Sequence, residues 1–403
     1  MIINKIIWSI ASILILLSSI YFSKKYKFIQ LNIKKIIQNL KKEKDINTKS
    51  IIMLSLAAKI GIGSISGIAL AIFIAGPGTI FWIQIITILT VINTYVETYI
   101  AIKYSKKLNN KNIGGPSYYI KNGLKNNTLS KIVSIIIFIS FLIGFIPIQA
   151  NTIVNSININ KIFLIVIILF ITSISIFGGI KKITKITDKL VPIMIIIYLL
   201  IAIIITLKNI NIIPNILKNI INQALNIKAF TTSFLPCLIT GIQRAIFASE
   251  SGIGIGTIIP ATTKNKNYNK SALIQVLCVY ITIFLICNAT AIILLTSNYN
   301  ILNIKNINGI ELIHYAFNFH FNKIGTPLLF IIIFLFSFST IISGYINLEN
   351  STKLNKTLLK IITLIFIFLG CIINATAIWT TIDTIIGILA IINIYAIYKI
   401  EKK

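Results

Sequence analysis

The sequence predicts an all-α polytopic membrane protein of about eleven transmembrane helices: one peripheral helix plus a five-plus-five inverted repeat with broken second and seventh helices. Three observations carry this. Of 403 residues, 56% are hydrophobic and only 12% charged, with a mean hydropathy of +0.91, whereas soluble domains are about 45–50% apolar and about 25% charged. The lysines gather in gaps between the apolar runs. Glycine-rich stretches interrupt two of those runs, roughly 190 residues apart.

A hydrocarbon core about 30 Å thick takes about 20 apolar residues per helix. Runs of that order occupy residues 6–22, 51–75, 79–103, 131–155, 162–178, 189–207, 231–259, 271–297, 327–347, 358–377 and 380–398. The first follows Lys5, has Lys24, Lys25 and Lys27 at its far end and lacks a small-residue cleavage site, so it reads as a retained span rather than a signal peptide. Residues 1–50 then form a first helix and a basic interfacial segment, 51–207 and 230–398 the two repeats, 208–229 an external connection and 399–403 a tail. In the interfacial segment Phe28, Ile29, Ile33, Ile36, Ile37 and Leu40 fall largely on one helical face, with Lys34, Lys35 and Lys41 on the other. That pattern lays it along the membrane surface.

The balance of 38 Lys+Arg against 9 Asp+Glu gives a formal charge of +29. On a soluble surface this would point to nucleic acid; confined to membrane loops it is an orientation signal. With an outside amino terminus the cytoplasmic segments hold 29 lysines and the outside segments seven, which makes the carboxyl terminus cytoplasmic. The expected partner surface is the lipid bilayer, with no nucleic acid and no obligate protein partner. Cys237, Cys278, Cys287 and Cys371 lie in apolar runs without metal-ligand spacing, and His314 and His320 fall in an outside loop as ordinary solvated histidines. Ile, Asn and Lys dominate throughout, so individual Ile and Asn positions carry little information.

The first break reads Lys59-Ile60-Gly61-Ile62-Gly63-Ser64-Ile65-Ser66-Gly67, and the second Glu250-Ser251-Gly252-Ile253-Gly254-Ile255-Gly256. Glycine costs about 1 kcal/mol in a helix interior, and irregular backbone at membrane depth persists only where it lines a cavity or is buried in protein. Each break opens a block of five spans, and because five is odd the blocks run in opposite senses. This is the plan of secondary transporters, whose half-helix amino ends face an anionic group while freed carbonyls face a cation. Five charges, Lys59, Glu97, Arg244, Glu250 and Asp383, lie within spans and each needs a partner or water. Arg244 and Glu250, six residues apart, are expected to pair with other helices; Lys59 is expected to snorkel toward the cytoplasmic face.

At these residues the chain resembles the alanine/glycine:cation symporter family (sodium:alanine symporters). Gly61-Ile62-Gly63-Ser64-Ile65-Ser66-Gly67 is similar to its Gly-Thr-Gly-Asn-Ile-Ala-Gly box, and Gly76-Pro77-Gly78-Thr79-Ile80-Phe81-Trp82 to the Gly-Pro-Gly-Ala-x-Phe-Trp that follows. Further matches come in order at Glu97, Gly115 to Ile120, Gln149-Ala150-Asn151, Gly178 to Lys181, Arg244 to Gly254 and Asp383. The resemblance implies a leucine-transporter-like core in a bacterial plasma (inner) membrane, importing a small neutral amino acid, alanine or glycine, with sodium as coupling ion and no other cofactor. It places the substrate at Gly61, Gly63, Ser64, Gln149, Gly252 and Gly254, and the cation at the carbonyls of Ala57 and Ile60 with the hydroxyls of Ser339 and Thr340.

Two departures matter. Lys59 and Ser64 stand where the family's box has Thr and Asn, which opens the alternative of sodium-independent or proton coupling through a fixed ammonium. Ser343-Gly344 stands where Gly-Trp is usual, which would let the pocket take a larger side chain. An ATP-driven pump is excluded by the lack of a Walker-type box. A channel would show a repeated filter or charged ring, and a membrane enzyme a catalytic constellation at depth; neither is present in the sequence.

Overall fold

The computed structural model describes residues 2–41, 46–108, 111–263, 267–299 and 308–402. All eleven apolar runs carry helix, the seventh only as far as Ser249. α1 (Ile2–Lys25) leads to α2 (Ile33–Lys41), in which Ile36 is buried while Phe28, Ile33 and Ile37 nearby stay exposed. The interfacial segment is therefore partly docked: Ile36 is packed, and Tyr280 Oη donates to the Gln30 carbonyl at 2.9 Å.

The first repeat runs α3 (Ile46–Lys59), α4 (Ser66–Ala75), α5 (Gly78–Lys103), a hairpin β1 (Lys106–Leu108) and β2 (Lys111–Ile113), α6 (Pro116–Asn122), α7 (Asn127–Ile139), α8 (Ile146–Asn155), α9 (Lys161–Phe177) and α10 (Gly179–Lys208). After α11 (Ile213–Ala224) the second runs α12 (Leu235–Ser249), α13 (Tyr268–Tyr280), α14 (Asn288–Leu295), α15 (Gly309–Phe321), α16 (Gly325–Ser351), α17 (Lys356–Ile372) and α18 (Ala375–Lys402). A π-helical turn, Ser140–Phe145, joins α7 to α8, and another, Ile281–Cys287, joins α13 to α14. Among the described residues seven helices are long and apolar enough to cross a membrane, or nine if each bent pair counts once. The other two, α9 and α17, have 17 residues each.

Many asparagines begin helices. The Oδ1 atoms of Asn126, Asn160, Asn267 and Asn355 accept backbone N–H groups at the starts of α7, α9, α13 and α17, and Asn308 forms a capping box with Glu311 on α15. Each such cap is worth about 1 kcal/mol. These asparagines carry positional information that composition hides.

Two elements missing from the sequence reading express the inverted symmetry. α6 and α15 both lie between the second and third helices of their repeats. Gly309 at the start of α15 packs onto Ser66 of α4, where an added Cβ would come within 2.0 Å of the carbonyl. Gly115 before α6 packs onto Ile258, and Pro116 onto Gly254, in the second break. Each repeat thus braces the broken segment of the other. The connection over 208–229 also holds a helix: α11 approaches Gly78 so closely that a Cβ there would lie 2.5 Å from the Ala224 nitrogen, and Trp82 Nε1 donates to the Ala224 carbonyl at 3.1 Å. The Gly76-Pro77-Gly78 box is accounted for by this approach. His314 and His320 sit on α15 rather than in an irregular loop.

Candidate functional site

The first break is a real loss of helix. α3 ends at Lys59, a single 3₁₀ turn covers Ile62–Ser64, and the flanking half-helices bend by 59°. Gly61 is extended at φ −115°, ψ −162°. Gln149 of α8 reaches in and accepts from the Ile62 amide at 3.1 Å. Among the described residues the Gly61 and Gly63 amides have no hydrogen-bond partner, so two donors remain in the break that precedes α4. A Cβ on Gly61 would lie 2.8 Å from Thr340 Oγ1 and 3.0 Å from Gln149 Nε2; one on Gly63 would lie 2.9 Å from the Phe247 ring. Ser64 is buried, and its carbonyl accepts from Thr290 Oγ1 at 2.9 Å.

Beside these donors lies a cluster of oxygens. Thr340 Oγ1 is 2.9 Å from the Ala57 carbonyl, 3.4 Å from the Ile60 carbonyl and 3.0 Å from the Phe336 carbonyl. Ser339 is fully buried, and its hydroxyl donates to the Phe336 carbonyl at 2.8 Å, with Met194 Sδ at 3.5 Å. Three carbonyls and two hydroxyls of uncharged residues therefore converge where α3 meets α16, a hard-oxygen donor set suited to an alkali cation. The sequence reading named Ala57, Ile60, Ser339 and Thr340 but not the Phe336 carbonyl, which the i, i+3 and i, i+4 spacing of the two hydroxyls places in reach.

The second break is built differently. α12 ends at Ser249 and is capped by Glu250, whose backbone is left-handed at φ +56°, and Gly252 and Gly254 follow at φ +84° and +87°. The structure does not bring Gly252 and Gly254 to Gly61 and Gln149. A Cβ on Gly252 would meet Ile15 and Ile394, and one on Gly254 would meet Asn393 and Pro116. Their left-handed backbone favours glycine, and the space a side chain would enter is filled by these neighbours, so Gly252 and Gly254 are not substrate contacts in this structure.

Lys59 does not snorkel. Its side chain is 1% exposed, and its Nζ lies 3.1 Å from Glu250 Oε2 and 3.2 Å from the Ser249 carbonyl. The ammonium ties the end of α3 to the end of α12, joining the two breaks. Glu250 pairs with another helix as expected. Glu97 is fully packed and accepts from Asn393 Nδ2 at 2.9 Å; the same amide donates to the Gly252 carbonyl at 2.9 Å, and its Oδ1 accepts from Tyr119 Oη.

Arg244 departs from expectation. It makes no hydrogen bond or ion pair among the described residues; its Cζ lies 5.9 Å from both the Phe247 and Trp379 ring centroids. Those rings are 5.4 Å apart, and Phe145 lies 6.1 Å beyond Phe247. Arg244 and Trp379 also line a cavity of about 660 Å³ whose walls include Ser66, Asn151, Glu311 and Asp383. Phe247 escaped the sequence reading, although it stands three residues after Arg244 and therefore on the same helical face. Gly344 packs against Ile146 and Phe141, at 3.3 and 3.5 Å from an added Cβ.

Comparisons with known proteins give the family. The chain is 31% identical over 418 residues to the probable sodium/glutamine symporter GlnT of Bacillus subtilis, covering 99% of this chain and 87% of that one. It is 27% identical over 369 residues to the sodium/alanine symporter AgcS of Methanococcus maripaludis, covering 87% and 81%. Among solved structures, a Na+-coupled sialic acid symporter in a substrate-bound outward-open state aligns with TM-score 0.58 at 17% identity, over 96% of this chain and 84% of that one, which supports the fold. A family model described as the sodium:alanine symporter family matches residues 1–403, and the chain belongs to that family.

Proposed function

We propose that the chain imports a small neutral amino acid, alanine or glycine, by alternating access, driven by sodium. The observation that carries this is the first break, where the free Gly61 and Gly63 amides and Gln149 stand beside five converging oxygens. The amides of Gly61 and Gly63, in the break that leads into α4, receive the substrate carboxylate, helped by the positive amino end of the helix that follows. Gln149 orients the same group, and the Phe247 ring against Gly63 keeps the site small. The Ala57, Ile60 and Phe336 carbonyls with Ser339 and Thr340 take the cation. Because both sites draw on the stretch from Ala57, in the last turn of α3, to Gly63, in the break, filling one orders the backbone of the other, and this is the coupling.

Proton or sodium-independent coupling through Lys59 is the second reading. Glu250 and Ser249 hold that ammonium, leaving the oxygen cluster to the ion, which favours sodium. The lysine bias orients the amino terminus outside and the large cavity toward the exterior. The test is uptake of labelled alanine, glycine and glutamine into proteoliposomes under imposed sodium or proton gradients. Concentrative uptake that needs sodium, and is lost in Gln149→Ala, supports the proposal; equilibration without concentration would indicate a channel. Equal sodium dependence of the native protein and Lys59→Thr would end the lysine-coupled alternative.

A further inference from the structure

We propose that the groove between α1, α7 and α18 is a binding site for one anionic phospholipid, with an acyl chain lying along the groove and the phosphate held by Lys24, Lys125 and Lys402. The site lies apart from the first break and its test needs no transport, so it stands or falls independently of the symporter reading.

Two stripes of side chains end alike. On α1, Leu14, Leu17 and Tyr21 line the groove and Lys24 follows three residues on; on α18, Ile391, Tyr395 and Tyr398 line it and Lys402 follows four residues on. Steps of three and four keep each stripe on one helical face, so both lead from an apolar groove to a lysine in the last turn of the helix. Leu129 of α7 forms the third side. The turn before α7 sits beside the end of α18, since a Cβ on Gly123 would lie 3.0 Å from Ile400 Cδ1, and this turn brings Lys125 to the same end. All three lysines are exposed, and none has a carboxylate within 4.0 Å among the described residues. Glu401, the acid at this end of α18, is already held by Lys25 at 2.7 Å and by Tyr26 Oη at 2.6 Å.

Shape and charge together select the occupant. The groove holds about 700 Å³, within the usual range of about 300–1,000 Å³ for small-ligand sites. Tyr21 and Tyr398 meet edge to face across the two helices, 5.2 Å between centroids, one turn before the lysines. Tyrosines gather at the level of lipid headgroups, which sets the lysines at phosphate depth. Free phosphate would answer the lysines and leave the groove empty; a second copy of this chain would set lysine against lysine; a zwitterionic lipid would fill the groove but bring no net charge. A lipid with a negative head and a long chain answers both features, as in the basic headgroup pockets beside other spanning helices. Occupancy also reaches inward, because Ile394 lines the groove and its Cδ1 lies 3.2 Å from where a Cβ on Gly252 would stand, so the lipid backs α18 where it packs on the second break.

Native mass spectrometry of the purified protein in detergent, titrated with dioleoyl phosphatidylglycerol or dioleoyl phosphatidylcholine, tests this. The expected result is one phosphatidylglycerol per chain, bound more tightly than phosphatidylcholine by about tenfold or more. Lys24→Gln/Lys125→Gln/Lys402→Gln should weaken it by about 100-fold, at about fivefold per lysine. Lys181→Gln/Lys182→Gln/Lys185→Gln, an equal loss of charge at exposed positions on α10, should not. Leu129→Trp, which crowds the groove without changing charge, should weaken binding as well, and glycerol 3-phosphate, a head without a chain, should not displace the lipid. Each variant is checked for a monodisperse size-exclusion peak. Equal retention of the two lipids, or equal losses in the two triple variants, overturns the site. Binding untouched by Leu129→Trp, or displaced by glycerol 3-phosphate, overturns the acyl-chain assignment. A dimer that Leu129→Trp dissociates gives the groove to a second copy and overturns the lipid.

Discussion

Removing the Lys59 ammonium is the sharpest perturbation of the joint between the two breaks. The Lys59 and Glu250 side chains are 1% and 10% exposed, with the ammonium 3.1 Å from the carboxylate and 3.2 Å from the Ser249 carbonyl. Lys59→Met keeps the length and loses the charge, stranding Glu250 in a dry setting; breaking a buried pair from one side costs about 3–5 kcal/mol. At roughly 2 °C per kcal/mol for a large domain this is a fall of about 6–10 °C in apparent Tm. Glu250→Gln should cost as much, because it leaves a buried ammonium. The double variant Lys59→Met/Glu250→Gln should recover at least half of the loss, since replacing both charges is often neutral. Thermal denaturation followed by size-exclusion fluorescence measures all three. Singles that melt with the native protein, or a double that melts at the sum of their losses, would refute the ion pair as a structural tie.

Further expectations follow from contacts in the site. Gly63→Ala puts a Cβ 2.9 Å from the Phe247 ring and should lower alanine uptake by about tenfold or more, the equivalent of 1.4 kcal/mol, with the protein still folded by size exclusion. Thr340→Val removes a hydroxyl from the oxygen cluster and should raise the sodium concentration for half-maximal uptake by about tenfold, while Thr340→Ser should not. Asn393→Leu strips hydrogen bonds from Glu97, the Gly252 carbonyl and Tyr119 together, at about 1–3 kcal/mol for each buried group left unmet, and should lower the melting temperature measurably.

The spanning helices and the first break were legible because their signals are physical and local: long apolar runs, lysines at their ends, and glycines where a helix should continue. The second break was located but misread. Sequence symmetry marks Gly252 and Gly254 as counterparts of Gly61 and Gly63, yet the first pair answers a left-handed backbone after Glu250 while the second leaves donors free. Which of these a glycine serves depends on its φ, and one sequence does not carry it. Helices α6, α11 and α15 were invisible because short amphipathic segments in an Asn- and Lys-rich chain look like loops until their docking surfaces exist. Lys59 was misjudged because snorkelling is the usual outcome for a lone membrane lysine, and its partner is 191 residues away. Phe247 and the Phe336 carbonyl were inside recognised segments but carry no sequence signature of their own.

The peripheral helix has a consequence for how the molecule is made. Ser18 and Ser19 on α1 hydrogen-bond Asn93 of α5, while Lys25 and Tyr26 at its end hold Glu401, and Trp8 holds the Asp383 carbonyl. α1 therefore has one set of partners on α5, made soon after it, and another on α18, made more than 300 residues later. A chain stopped short of Ala375 would enter the bilayer with α1 clasped on one side and bare on the other, which makes this seam the place where quality control can tell a finished product from an unfinished one.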